Sequence, residues 1–327
     1  LLLIISAVCV APRASAVPTP AQVFSTLAPA GPSQWTVLEI GDGSLTQQAN
    51  LSNPQGGIYG NVGITKNSHI QGSGPQLHGD LYLGDTASAQ FSGTYTNNRP
   101  VTGKVHLGSG ATVSPNTYSF TTVSDNPQAL LDQARTSALA ASALASSLAP
   151  TSALTQINLS HVTMSLNPGV YNLTNFHLDH STLTLSGAGY YVFNITSLFS
   201  LSSGKILLSG GATEANVLFN YTGTANAAFT GGTGGTVPGG LDESVLHGIL
   251  LALNGQVQMS PGLVVGEIIS TKNISIVSGA IVQQPPGVPD VGSTMELGLI
   301  AFAALVLFRL ISPQLVARRS LSKPPTG

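Results

Sequence analysis

The densest group of side chains able to do chemistry in this sequence is His177-Leu178-Asp179-His180. In a strand, His177 and Asp179 share one face at i, i+2, and imidazole beside carboxylate is zinc-ligand chemistry. Zinc needs a further protein ligand, and the sequence names none, so no metal is assigned. Asp242-Glu243 beside Gly240 supplies the oxygens that calcium takes, but calcium asks for six or more; an acidic turn accounts for the pair. Gly231-Gly232-Thr233-Gly234-Gly235 has the glycines of a phosphate cradle without its Lys-Ser/Thr and is read as a surface loop. Neither G-x-S-x-G nor H-E-x-x-H occurs. No catalytic residue, cofactor or metal is assigned, and the chain is read as non-enzymatic.

The elements that carry these residues are constrained by composition. Charged residues make up 7% of the 327 positions, against roughly 25% in ordinary soluble domains. Hydrophobic residues reach 42%, which excludes the low-hydrophobicity signature of disorder. The surface must therefore be built from hydroxyls and amides. Between Val17 and Gln284 six bases stand against eleven acids, a net of −5. No basic cluster is present there, which excludes a nucleic-acid footprint. The single cysteine, Cys9, precedes the body, so the body has no disulfide and no thiolate metal site.

Both ends read as targeting segments. Residues 1–16 form an apolar run closed by Ala14-Ser15-Ala16, with small residues at −3 and −1 of a signal-peptidase site and Val17 as the new terminus. Residues 17–34 read as a linker and 35–284 as the body. Residues 285–327 carry Val288-Pro289-Asp290-Val291-Gly292-Ser293-Thr294, an apolar helix over about 297–317, and Arg309, Arg318 and Arg319. Those 21 residues reach about 31 Å as a helix, enough to span a bilayer, and the bases behind them place the C-terminus in the cytoplasm. The order of motif, helix and bases resembles the PEP-CTERM class of sorting tails. That resemblance implies processing by an exosortase-like sorting enzyme and display at the cell surface.

The body alternates short apolar runs with Gly, Asn, Ser and Pro breaks, among them Val37–Ile40, Gly57–Ile64, Ile157–Leu166, Val170–Leu185 and Leu263–Ser270. Strands at such intervals give an all-β domain. Gly60-Asn61-Val62, Gly79-Asp80-Leu81, Gly103-Lys104-Val105 and Gly266-Glu267-Ile268 repeat a Gly-polar-apolar theme without a fixed period. That suits a β-solenoid, whose coils bury their faces against their neighbours, with a β-sandwich as the alternative. Asn126–Ala149 is predicted as a helix, capped by Asn126 and Pro127, with Leu130, Ala134, Ser137, Ala141, Leu144 and Leu148 on one stripe. Asn-x-Ser/Thr at Asn50, Asn158, Asn172, Asn194, Asn220 and Asn273 is expected by chance in such a composition.

From Pro168-Gly169-Val170-Tyr171, through Tyr191-Val192-Phe193-Asn194-Ile195 and Asn216-Val217-Leu218-Phe219-Asn220-Tyr221, to Gly266-Glu267-Ile268-Ile269, the body is similar to the choice-of-anchor A surface proteins. More remotely it resembles the ice-binding-like β-solenoids. The second resemblance implies a right-handed β-solenoid with a long helix alongside it. The function expected first is an exported, surface-anchored structural or adhesion protein of the bacterial envelope or matrix, with extracellular polysaccharide among its partners. The alternative is an ice-binding protein on the same scaffold, although Thr94/Thr96 and Thr182/Thr184 are the only same-face Thr pairs and do not recur from coil to coil. A third reading, a carbohydrate-binding module, would need Trp35, Tyr59 and Tyr82 as exposed aromatics, but with aromatics at 6% of the chain these are read as core.

Overall fold

The structure, a computed structural model, describes residues 17–41, 44–48, 56–231 and 243–285, with the backbone alone for 44–48. The leader with Ala14 and Ala16, the acidic residue Asp242 and the whole 286–327 tail lie outside the described residues. Among the described residues, no helix is long and apolar enough to cross a membrane.

Residues expected as a linker instead begin with helix α1 (Pro20–Leu27), closed at its start by a capping box between Thr19 and Gln22, and a 3-10 turn (Ala28–Ala30). The first lobe follows as β1 (Val37–Glu39), β2 (Ser44–Gln48), β3 (Gly57–Tyr59), β4 (Val62–Ile64), β5 (His69–Ser73), β6 (Leu77–His78), β7 (Leu81–Leu83), β8 (Ser88–Ser92), β9 (Lys104–Leu107), β10 (Thr112–Ser114) and β11 (Thr121–Val123). Helix α2 (Gln128–Ser146) then leads to the second lobe. That lobe holds β12 (Gln156–Ser160), β13 (Thr163–Leu166), β14 (Gly169–Asp179), β15 (Thr182–Ser186), β16 (Tyr191–Ser202), β17 (Lys205–Ser209), β18 (Val217–Tyr221), β19 (Ala227–Thr230), β20 (Val245–Ala252), β21 (Val257–Ser260), β22 (Leu263–Ser270), β23 (Ile274–Ile276) and β24 (Ile281–Gln283).

Every strand pairing is parallel, and the pairings stack the strands as the rungs of three faces. Face A runs from the first half of β14 through β16, β18, β20, β22, β1, β4, β7 and β9 to β11. Face B runs from β12 through the second half of β14, β16, β19, β21, β23, β2, β5 and β8 to β10. Face C runs from β13 through β15, β17, β20, β22, β24 and β3 to β6. The chain therefore starts in mid-stack and winds to one end. It returns along α2 to the other end and winds back until β22, β23 and β24 close on β1, β2 and β3. The solenoid-type expectation holds over the sandwich in this respect: the faces are parallel stacks of one winding chain.

The long apolar runs of the sequence break at the corners of each coil. Gly248 and Gly266, paired with one another where face C turns into face A, take φ of 138° and 144°. A Cβ on Gly266 would strike the Gly248 carbonyl oxygen, so only glycine lets the coils stack there. The Gly-polar-apolar theme is this corner seen in sequence: Glu267, Thr36, Asn61, Asp80 and Lys104 form one column across adjacent rungs. Asp80 accepts from the Lys104 N–H at 2.7 Å and Asn61 Oδ1 from the Asp80 N–H at 3.0 Å. The theme lacks a fixed period because the coils insert loops of different length at the other corners.

Inside the second lobe the register stacks Tyr171, Phe193 and Phe219, with ring centroids 5.0 and 4.9 Å apart. Helix α2 lies on the outside of face A. Its buried residues are Leu131, Ala134, Ala138, Ala141, Ser142 and Ala145, packed with Val170, Val192, Leu218, Ile269 and Leu38. This corrects the expected stripe by one residue: Leu130 and Leu144 are half-buried flanks, and Ala138 replaces Ser137 at the centre. The cause lies at the N-terminus. Asn126 takes a left-handed φ of 49°, Pro127 becomes the cap, and the helix starts at Gln128. A flat wall of strands then selects the row of small side chains, because these allow the closest approach.

Candidate functional site: the polar face B

Alternation along each face B strand sends one set of side chains inward and the other to solvent. Ile157, Phe176, Phe199, Val257, Ile274, Ile70 and Ala89 fill the core. The outward set begins with Gln156, Asn158 and Ser160 on β12 and Asn175, His177 and Asp179 on β14, and continues with the exposed Leu198 and with Ser200 and Ser202 on β16. Ala228 and Thr230, Gln258 and Ser260, and Ser275 follow. His69, Gln71 and Ser73, Ser88, Gln90 and Ser92, and Thr112 and Ser114 complete it. All are exposed or half-exposed. Ten rungs at about 4.8 Å make a surface about 43 Å long, and five residues at about 3.3 Å make it about 13 Å wide.

Among the described residues of this outward set, Asp179 is the one acid and no lysine or arginine occurs. Asp179 sits at the edge of the face. Its Oδ1 lies 2.9 Å from His180 Nδ1, its Oδ2 accepts from Ser160 Oγ at 3.1 Å, and His161 Nδ1 of the preceding coil stands 4.0 Å away. The hydrogen bond from His180 leads in holding the Asp179 carboxyl below its ordinary range, with help from Ser160. Stacking of the coils thus supplies His161, a neighbour that the sequence spacing hid. His177, the other member of the sequence cluster, stays apart in the middle column between Asn158 and Ser200. Among the described residues no group of three or more His, Cys, Asp or Glu is arranged to hold a metal ion.

The other faces are occupied or mixed. α1 and α2 cover face A from β14 to β7. Face C carries Thr163, Ser165, Thr182 and Thr184 on its outer rungs, but the columns then continue into Lys205 and Leu207, and Val245, Leu263, Val265 and Ile281 form a separate buried apolar cluster. Thr182/Thr184 is therefore a two-rung patch. Thr94/Thr96 is no strand pair at all, since Thr96 opens a 3-10 turn. The aromatics proposed for sugar binding are not a platform. Trp35 is buried, Tyr82 packs edge-on to Trp35 and stacks on His106 at 4.2 Å, and Tyr59 stacks on His78 at 4.5 Å. A pocket of about 190 Å³ beneath α1, lined by Phe24, Leu27, Pro32 and Ile249 among others, contains no titratable side chain.

The model of the ice-binding-like family matches residues 45–265. The chain belongs to the ice-binding-like family. Among solved structures it is similar to an ice-binding protein from the Antarctic ascomycete Antarctomyces psychrotrophicus, at 19% identity over 79% of this chain and 96% of that one, with a TM-score of 0.45. It is also similar to a glycosylated ice-binding protein from an Arctic yeast, at 21% identity over 79% and 93%, with a TM-score of 0.46. An ice-binding protein domain of Shewanella frigidimarina aligns at 13% identity over 83% and 98%, with a TM-score of 0.40. No curated protein matches the sequence.

The family match favours the ice-binding alternative over the adhesion reading that the sequence put first. Sequence reasoning did not single out this face because it looked for Thr pairs recurring from coil to coil. The regularity lies across strands, in columns such as Asn158, His177, Ser200, Ala228, Gln258 and Ser275.

Proposed function

We propose that this protein is an exported, non-enzymatic ice-binding protein, that its coils wind as a right-handed β-solenoid, and that face B is its ice-contacting surface. The observation that carries the reading is the outward set of face B: a long array on a ten-rung scaffold whose side chains, apart from Asp179 at the edge and the apolar Leu198 and Ala228, bear hydroxyls, amides or imidazoles. Ice presents a repeating lattice, so its receptor must be flat and regular. It must also give up its own water cheaply. Charged groups resist that desolvation strongly and neutral polar groups far less. The leader and the tail add export and surface anchoring to this proposal. An anchored ice-binding face would fix the cell to ice.

The test places one charge on each open face. Ala228→Lys or Ser200→Lys, each alone in the middle column of face B, should abolish inhibition of ice growth by the purified protein. Thr184→Lys on face C should leave it intact. The assignment of the face fails if the face C change is the damaging one. A parent protein that leaves ice growth unaltered overturns the ice reading as a whole and returns the protein to the matrix-adhesion class.

A further inference from the structure

The end of the stack that begins the second lobe is an open sheet edge. β12 pairs only with β14 and β13 only with β15, so each has a strand on one side and none on the other among the described residues. Core side chains at this end are incompletely covered. Leu154, Leu159 and Met164 are half-buried, and Val162 is 49% exposed. Proteins ordinarily blunt such edges with lysine, proline or inward charges. From Gln156 to Leu166 the chain reads Gln-Ile-Asn-Leu-Ser-His-Val-Thr-Met-Ser-Leu, with no lysine, arginine, acid or proline. The opposite end is treated differently: β10 runs straight into Pro115, and Arg99 reaches the hydroxyl of Thr121 at the start of β11.

We infer that the Gln156–Ser160 edge is a self-association site, which pairs antiparallel with the same edge of a second copy, Asn158 opposite Asn158. The strand is self-complementary in that register. Ile157 meets Leu159 of the other copy on the core side, so two half-covered cores close on each other. Gln156 meets Ser160 and Asn158 meets its own image on the solvent side, where neutral amides and hydroxyls can exchange hydrogen bonds. A two-fold axis through this edge exchanges faces A and C, and the rise of the coil suits the exchange. On face A the chain at Thr151 already lies one level above β14, its N–H donating to the Val170 carbonyl at 2.9 Å, while β13 on face C is the last rung of its stack. One copy's high side thus meets the other's low side. Pairing in this way would also join two face B sheets into one surface of twice the length, but the association itself does not rest on the ice reading.

The test measures mass by light scattering on the purified chain over a range of concentrations, in mild detergent to mask association through its apolar ends. The parent chain should reach twice the chain mass. Gln156→Lys with Ser160→Lys should hold the chain at its single mass, with little change in melting temperature, since both positions face solvent and an ammonium at 160 stands opposite Asp179 in place of the lost hydroxyl. Gln156→Asp with Ser160→Asp should also hold the chain at its single mass, with a lower melting temperature because position 160 stands opposite Asp179. Mixing the two variants should restore the doubled mass, since position 156 of one copy faces position 160 of the other. A parent chain that is single at every concentration overturns the inference, as does a doubled mass that survives the lysine pair. Failure of the two charged variants to associate on mixing overturns the antiparallel register. Should the lysine pair alone lower the melting temperature, the aspartate pair and the mixture still decide.

Discussion

Asn220 on β18 accepts a hydrogen bond from Ser142 Oγ of α2 at 2.6 Å, tying the helix to face A across 78 residues of sequence. Asn220 Nδ2 in turn donates to Asn194 Oδ1 at 2.9 Å, and Asn194 Nδ2 donates to Asn172 Oδ1 at 2.9 Å and to the Ala145 carbonyl at 2.8 Å. Three coils thus present a ladder of amides to the one row of helix residues that can answer it. Asn220 is fully buried. Replacing it with alanine strands the Ser142 hydroxyl and the Asn194 amide, each at about 1–3 kcal/mol. Asn220→Ala should therefore destabilise the protein by about 2–4 kcal/mol in urea denaturation, and Ser142→Ala by about 1 kcal/mol. Equal, negligible effects of both would mean that the ladder does not hold the helix.

The packing of α2 makes a graded prediction along its surface. Leu131 is fully buried, Leu144 half-buried and Leu139 exposed. Leu131→Ala should cost about 2–5 kcal/mol. Leu144→Ala should cost less than that, and Leu139→Ala should fall within about 0.5 kcal/mol. Ser146, off the stripe expected from sequence, is a poor silent control, since its Oγ accepts from Asn220 Nδ2 at 3.1 Å. The same denaturation series decides, and a flat profile would detach the helix from the wall.

Which parts were legible in sequence follows from how local each determinant is. The strands and the helix come from neighbouring residues, and they stand within a few positions of where patterning puts them. The amide ladder was visible as Tyr-Asn-Leu-Thr, Phe-Asn-Ile-Thr and Phe-Asn-Tyr-Thr at Asn172, Asn194 and Asn220, yet it read as chance Asn-x-Thr matches. Its meaning depends on the coil register that aligns those residues. The column of face B side chains and the meeting of His161 with Asp179 depend on that register too. The docking of β22 on β1 joins residues more than 200 positions apart, which no local pattern encodes.

Stability should fall as pH rises, and Glu267 is the main cause. Its carboxylate is fully buried on face A, with neither oxygen hydrogen-bonded among the described residues. Burial pushes its pKa well above the ordinary carboxylate range. The unfolded chain releases this proton near pH 4.3, whereas the folded chain keeps it, so the folded state binds the extra proton and loses stability as pH climbs. Glu267→Gln should raise stability at pH 7 and flatten the slope above about pH 4.3. His106 adds a loss in the same direction. Asp80, and Asp125 at 2.6 Å from Nδ1, hold its imidazole above the ordinary value against the opposing effect of burial. That contribution is complete below about pH 6.5 and disappears as pH passes the raised value. A residual slope above pH 6.5 in Glu267→Gln that vanishes on adding His106→Gln assigns the two. An unchanged slope in Glu267→Gln would show that Glu267 ionises freely in the fold.

The last prediction concerns the corner at Gly266, where coil stacking and backbone conformation impose the same demand. Gly266 holds φ at 144° beside Gly248 at 138°, and the space for a Cβ is filled by the Gly248 carbonyl. Alanine there meets both a backbone conformation that L-residues avoid and an obstacle made of main chain, which no rotamer change relieves. Gly266→Ala should cost more than about 3 kcal/mol. It should also loosen the seam between the lobes, because β22 bears the pairing with β1 that begins two residues later at Ile268. Gly110 provides the contrast. It also has positive φ, 69°, but it sits in the region where asparagine is tolerated, and a Cβ would meet only Thr86 Cγ2 at 3.5 Å. Gly110→Asn should therefore stay within about 0.5 kcal/mol. Hydrogen exchange gives the spatial readout: in Gly266→Ala the amides of β1 and β22 should lose protection ahead of those in β14 and β16. If the two substitutions cost the same, or if protection falls evenly through both lobes, the glycine corner does not set the stacking of the coils.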